Sequence, residues 1–280
     1  MNTYHFSLAG LAVKIETPFP ILVPDRMLPF FCHPDGDCAD YTIRLSLHSS
    51  LPQPAENAVW HGLSCYESHN RFFLCLTASA APFAMVEKRE KGLIGLDVLD
   101  AYAHYFDTSF GILNRIGMEN LLLEQDCLLL HASFIKYNEH GILFSAPSGT
   151  GKSTQAELWR QHMGADILNG DRAVLRRGAN GWHAWGSPYA GTSHIYRNES
   201  APVRAIVTLR QAKENRLTPL SPAQALRSLY PEFSIHHWDR QFVDSALDLF
   251  SDLSAHVPMF LLECRPDEDA VCVLKGGLSL

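Results

Sequence analysis

The stretch Ala146-Pro147-Ser148-Gly149-Thr150-Gly151-Lys152-Ser153, followed by Thr154, constrains this 280-residue chain more than any other. An apolar run, Gly141–Phe144, precedes it and an amphipathic stretch, Lys152–His162, follows, so it reads as a turn between a strand and a helix. Gly149 and Gly151 free the backbone to turn successive N–H groups inward, and the helix start adds roughly half a positive charge there. This is the build of the phosphate loop G-x-x-x-x-G-K-[ST], with Ala146 in the place of the first glycine. In such a loop Ser148 to Thr154 surround phosphate oxygens, Lys152 reaches the β- and γ-phosphates, and the Ser153 hydroxyl binds Mg²⁺. The competing reading is a glycine-rich turn with an incidental lysine. The order of strand, two glycines, Gly-Lys-Ser-Thr and helix favours nucleotide binding.

Two further residues acquire meaning from their distance to Lys152. Nineteen positions downstream (171 − 152 = 19), Ile167-Leu168-Asn169-Gly170-Asp171 is a short apolar strand ending in an aspartate, suited to holding a metal beside phosphates. Asn-Gly-Asp is also ordinary turn chemistry. Upstream by 21 positions (152 − 131 = 21), His131 sits in Leu-Leu-Leu-His-Ala. A single histidine in an apolar strand is usually a packed, hydrogen-bonded residue, so its motif context decides.

That context resembles a family. His-Ala, strand, turn, strand, Ser-Gly-Thr-Gly-Lys-Ser and then Gly-x₆-Asp are similar to the HPr kinase/phosphorylase superfamily, related in fold to ATP-dependent phosphoenolpyruvate carboxykinase. Members carry a His-Gly at the same distance before the lysine and an Asp-Asp pair after the loop's helix. Here these positions are His131-Ala132 and Gly170-Asp171. The stretch Gly186-Ser187-Pro188-Tyr189-Ala190-Gly191, then Asn198, Ala201-Pro202 and Val203–Leu209, resembles a shorter branch found with peptide-modification systems, such as lasso-peptide tailoring kinases that phosphorylate a peptide serine. The resemblance covers residues from about 125 to about 275. It implies ATP and Mg²⁺ as cofactors, with Lys152, His131 and Asp171 catalytic and with Ser153 and Asp171 on the metal. Asp171 or His131 would take the acceptor's proton, and Gly186, Pro188, Gly191 and Asn198 belong to a stretch that would face the acceptor. A simple surface turn is the equal reading of that stretch. Gly170 removes one carboxylate from the family pattern. The arginine-glycine signature of phosphorylase-competent members is not evident, so no reverse reaction is expected.

Length and patterning divide the chain. At roughly 150 residues per domain, 280 residues suggest two. With 46% hydrophobic and 19% charged residues the chain can bury a core without disulfide or metal staples. Residues 1–115 read as mostly β: Tyr41–His48 alternates, Arg71–Thr77 is rich in aromatic and aliphatic residues, and loops fall at 18–29, 33–37 and 51–56. Ile116, Leu121 and Leu122 mark a connecting helix. Residues 116–280 read as an α/β (or α+β) domain of the HPr kinase/phosphoenolpyruvate carboxykinase type. Its expected strands include 128–135, 141–144, 203–209 and 258–264. A capping box at Ser221 opens one helix, a second buries Phe242, Ala246, Leu249 and Leu253, and a last helix runs from Pro266 to Gly276-Gly277.

Charge and cysteines bound the partners. A net charge of −7 disfavours a general nucleic-acid binder. Residues 140–217 nevertheless carry 10 Lys+Arg against 5 Asp+Glu, the same segment that holds the loop. Apolar runs of about six residues are too short to span a membrane, and no basic stretch precedes Leu8–Val13 as in a secretory signal. Seven cysteines without a C-x-x-C pair argue against a disulfide framework and fit a reducing cytoplasm. The leading expectation is an ATP-dependent kinase acting on a serine of a peptide or protein. A kinase for a free amino acid or sugar, or a non-catalytic nucleotide-binding assembly or sensor protein, are the alternatives. The oligomeric state stays open, a homo-oligomer included.

Overall fold

The computed structural model describes residues 1–33, 39–68, 70–77 and 80–280; most of the loop expected over 33–37, together with Cys38, lies outside them. The chain folds as two compact units, Met1–Met118 with His237–Gln241, and Glu119–His236 with Phe242–Leu280. The architecture is mixed α/β, and no described helix is long and apolar enough to cross a membrane. Cys65, Cys75, Cys127, Cys264 and Cys272 are free thiols.

In the first unit the described residues form β1 (Asn2–Leu8), β2 (Leu11–Thr17), β3 (Tyr41–His48), β4 (Val59–His61), β5 (Ser64–Ser68), β6 (Arg71–Cys75), β7 (Pro82–Glu90) and β8 (Leu93–Leu99). They make one sheet in the order β1-β2-β3-β8-β7-β6-β5-β4. Only β2–β3 and β3–β8 pair in parallel. The period-2 pattern of β3 buries Tyr41, Ile43 and Leu45. Helix α1 (Ser109–Arg115) starts at Thr108, whose hydroxyl accepts from Gly111 N at 3.0 Å. Ile116, expected inside a connecting helix, is the C-cap of α1, and α2 (Met118–Leu123) is a separate helix.

The second unit contains β9 (Cys127–Tyr137), β10 (His140–Ser145), α3 (Lys152–Met163), β11 (Asp166–Asn169), β12 (Arg172–Gly178), β13 (Gly181–Trp185), β14 (Ser200–Gln211), β15 (Arg216–Pro219), α4 (Pro222–Leu229), all but the first two residues of α5 (Arg240–His256), β16 (Met259–Cys264) and α6 (Glu268–Leu278). Two long strands organise it by changing partner midway. β9 pairs with β12 over Cys127–His131 and with β10 over Ala132–Tyr137. β14 pairs with β13 over Ser200–Pro202, with β10 from Val203 and with β16 from Ile206. The central strands β10, β14 and β16 run parallel and are covered on both faces. Ile142, Phe144, Ala205 and Val207 pack with Trp159 of α3 and with Val271 and Leu274 of α6. Leu143 and Ile206, one residue out of phase, pack with Leu229 of α4 and with Phe242, Ala246, Leu249 and Leu253 of α5.

Local chemistry accounts for most of these boundaries. Asn138 and Glu139 both take positive φ (47° and 63°) in the β9–β10 hairpin, the backbone a two-residue primed turn requires. Ser221 and Gln224 form a reciprocal capping box at α4. The last helix departs from expectation. Asp267, not Pro266, caps it by accepting from Ala270 N, and it runs through Gly276 and Gly277 to end at Ser279 in the left-handed region. β13 and β15 are not among the expected strands; β13 alternates, with Trp182 and Ala184 buried, but both are only four or five residues long.

Candidate active site

The 146–151 loop joins β10 to α3, and its glycines are used as the sequence suggests. Gly149 (φ 79°) and Gly151 (φ 121°) take backbone angles that a side chain resists, and no atom lies within 4 Å of where their Cβ atoms would stand. Ala146 is buried and is not among the positive-φ residues, so the missing first glycine costs the backbone nothing. Lys152, buried at the first position of α3, folds back over the loop, its ammonium donating to Ala146 O at 2.7 Å and reaching Pro147 O at 3.4 Å. Burial pushes the Lys152 ammonium below the ordinary lysine range, against the pull of the Glu232 and Asp171 carboxylates.

His131 stands where β9 leaves β12 for β10. It is register-paired with Arg172, and Ala132 N donates to Asp171 O at 2.9 Å, so the histidine and the aspartate meet through the ladder. His131 Nε2 is 3.6 Å from Asp171 Oδ1. The Asn169-Gly170-Asp171 turn is set by buried Asn169, whose Oδ1 accepts from Asp171 N and Arg172 N, both at 2.8 Å. A Cβ on Gly170 would come within 2.0 Å of Ser193 Oγ and 2.4 Å of Ser193 Cβ, so this packing excludes a paired aspartate.

The residue that sequence reasoning misses is Glu232. It closes the short 3-10 helix Tyr230–Glu232 behind α4 and accepts from His131 Nδ1 at 2.8 Å. Phe233 bridges to Leu130, and Ser234 N donates to Leu129 O at 2.9 Å, which seats this segment against β9 one residue from His131. Lys152, Asp171, His131 and Glu232 therefore share one electrostatic neighbourhood at the mouth of the loop.

The sequence profile described as "SynChlorMet cassette protein ScmC" matches residues 118–266, which is 149 of 280. The chain belongs to the ScmC family. No curated protein matches it. Among solved structures it is similar to one described as the HPr(Ser) kinase/phosphatase from Coxiella burnetii, at 12% identity and a TM-score of 0.32, over 53% of this chain and 95% of that one.

The remaining expected residues distribute unevenly. Ser148 and Gly149 are exposed on the loop's outer bend. Ser153, also exposed, borders a cavity of about 560 Å³ together with Ser133, Gly170 and Ser193. Thr150 and Thr154 border a second cavity, of about 380 Å³, which Thr154 shares with the first. In the 186–191 stretch, Gly186 and Pro188 are buried, and Gly191 (φ 54°) lies so close to Asp171 that a Cβ there would stand 2.9 Å from Oδ1. Asn198 is not brought to the cluster. Its neighbours Arg197 and Glu199 pair with Asp166, at the far end of β11 from Asn169, and with Lys136, five residues along β9 from His131.

Of the basic residues in 140–217, Arg172 lies beside Asp171 at 3.8 Å, and several others are paired elsewhere. Arg210 and Arg216 both pair with Glu263, Arg177 with Asp126 and Arg160 with Glu157. Among the described residues no group of three or more His, Cys, Asp and Glu is arranged to hold a metal. The Ser153 hydroxyl and the Asp171 carboxylate are nonetheless hard oxygen donors of the kind Mg²⁺ takes when phosphates supply further oxygens.

Proposed function

We propose that this protein is an ATP-dependent kinase that transfers a phosphoryl group to a serine hydroxyl of a peptide or protein. The observation that carries the reading is the convergence of His131, Asp171 and Glu232 on Lys152 at the end of a glycine loop and helix. Loop N–H groups and the Lys152 ammonium bind the β- and γ-phosphates, drawing Lys152 off the Ala146 carbonyl. Ser153 and Asp171 would hold Mg²⁺, which would neutralise charge on the phosphates. Glu232 fixes His131 with Nδ1–H donating, which turns Nε2 towards Asp171 and the approaching acceptor. The acceptor hydroxyl gives its proton to His131 or Asp171, its oxygen forms the bond to phosphorus, and the bond to ADP breaks with its electron pair leaving on ADP. Gly191 keeps the covering loop close over Asp171 without a side chain in the acceptor's path.

The ScmC family is named for a cassette, which makes peptides encoded beside the gene the first acceptors to try. Such peptides, incubated with the protein and Mg-ATP, should gain one phosphate on a serine by mass spectrometry. Free serine and simple sugars should not be turned over. Acceptor-independent ATP binding with no phosphorylated product would favour the sensor reading, and turnover of a free amino acid the metabolite reading.

A further inference from the structure

We propose that the cavity of about 560 Å³ between α3 and β9 is a specificity pocket for the acceptor peptide, taking an apolar side chain two residues from the phosphorylated serine. The proposal rests on the kinase reading and adds which peptides such a kinase accepts. His131, Ser133 and Ile135 are alternate residues of β9 and share one of its faces. His131 belongs to the candidate site, Ser133 lines the cavity, and Ile135 is buried with Trp159 of α3. The cavity therefore lies between the reacting groups and the core beneath α3. Ser153 and Gly170, sequence neighbours of Lys152 and Asp171, also border it.

The lining selects the occupant. Buried Ala156 and Ile167 meet half-buried Leu158 and Ile195 there. Among the described residues the one charged side chain on the wall is Glu157, which already accepts from Arg160 and Gln161 at 2.8 and 2.6 Å. A charged side chain of the peptide would give up its water in this cavity, and the Glu157 carboxylate is already committed. A branched or aromatic apolar side chain gives up nothing polar and takes apolar wall out of water. Spacing fixes its place in the peptide. His131 and Ser133 are about 7 Å apart at the rise of a strand, and side chains on one face of an extended peptide recur at the same interval. A peptide extended along β9 with its serine at His131 thus sets the second neighbour, not the first, over the cavity.

The test uses the whole protein with Mg-ATP and synthetic peptides that hold one serine in a glycine–alanine background. The residue one or two positions to either side is Leu, Ala, Asp or Lys, and phosphate incorporation gives kcat and KM. Leu at a second-neighbour position should raise kcat/KM about 10- to 100-fold over Ala, mainly through KM, the scale of burying one such side chain. Asp and Lys should bring no gain, and first-neighbour changes should have little effect. Ile195→Asp should erase the Leu preference while kcat on the Ala peptide and the Mg-ADP thermal shift persist, the latter showing that the variant folds. If that shift is lost, Ile195→Ala takes its place and should cut the preference several-fold. Turnover with no second-neighbour preference, or a preference unchanged in the folded variant, would overturn the pocket and leave the kinase reading standing. No turnover of any peptide while Mg-ADP still binds would overturn both.

Discussion

Glu232 and His131 are 101 positions apart in sequence and 2.8 Å apart in space, carboxylate oxygen to Nδ1. The charge of the same carboxylate is also felt at Lys152, so one acid bonds the base candidate and acts through space on the phosphate-binding cation. Glu232→Gln keeps an oxygen to accept from Nδ1 but removes the charge. Turnover should fall about 10- to 10²-fold, the scale for an outer partner that orients a functional histidine. Nucleotide affinity should hold or rise, because a negative charge facing the phosphates is gone. A parallel loss of nucleotide binding would mean that Glu232 supports the loop rather than the histidine.

Gly170 and Ser193 make a second close pair. Gly170→Asp restores the acidic doublet of the HPr kinase pattern but drives a Cβ into Ser193. Overpacking of this kind costs about 1–3 kcal/mol, visible as a lower denaturation midpoint. Ser193→Gly combined with it should recover most of that loss, a coupling read from the double-mutant cycle. Purely additive effects would show that the 170–193 contact is not what excludes the second aspartate.

How much of this the sequence discloses depends on whether the signal is local. The strand–loop–helix over 141–163 is legible because glycine spacing, the lysine and apolar periodicity all lie within about 20 residues. The α4 capping box and the buried face of α5 are legible for the same reason. Glu232 is not, because Tyr-Pro-Glu-Phe carries only turn chemistry and its approach to His131 depends on Phe233 bridging to Leu130. The nearness of His131 to Asp171 is set by ladder register, which residue counting does not supply. Nothing near residue 237 signals that His237–Gln241 leaves the second unit to join the first.

Acid should weaken the second unit through Glu119. Burial acts to raise this carboxyl, but the hydrogen bond and charge of His236, at 2.8 Å, more than offset it and hold it below the ordinary 4.5. A carboxylate depressed in the folded state stabilises above its unfolded value and loses that contribution as pH falls through the folded one. The stability gap between wild type and Glu119→Gln should therefore shrink as pH falls below about 4.5. Denaturant melts at several pH values would measure it, and a gap that widens in acid would reverse the assignment.

The decisive variant for the chemistry is His131→Gln. Its ring makes two contacts, Nδ1 on Glu232 at 2.8 Å and Nε2 at 3.6 Å from Asp171, and neither belongs to the nucleotide loop. Glutamine is of similar bulk and keeps hydrogen-bonding atoms, so the core behind β9 should survive and Mg-ADP should still raise the melting temperature. Ligand at 100 times its dissociation constant contributes about 2.7 kcal/mol, enough to see. If His131 takes or positions the acceptor's proton, turnover should drop on the order of 10²-fold or more. Because Glu232 acts through His131, adding Glu232→Gln to this variant should then cost little further, whereas two independent roles would multiply. Full activity in a stable His131→Gln protein would leave Asp171 as the base and reduce the Glu232 contact to packing.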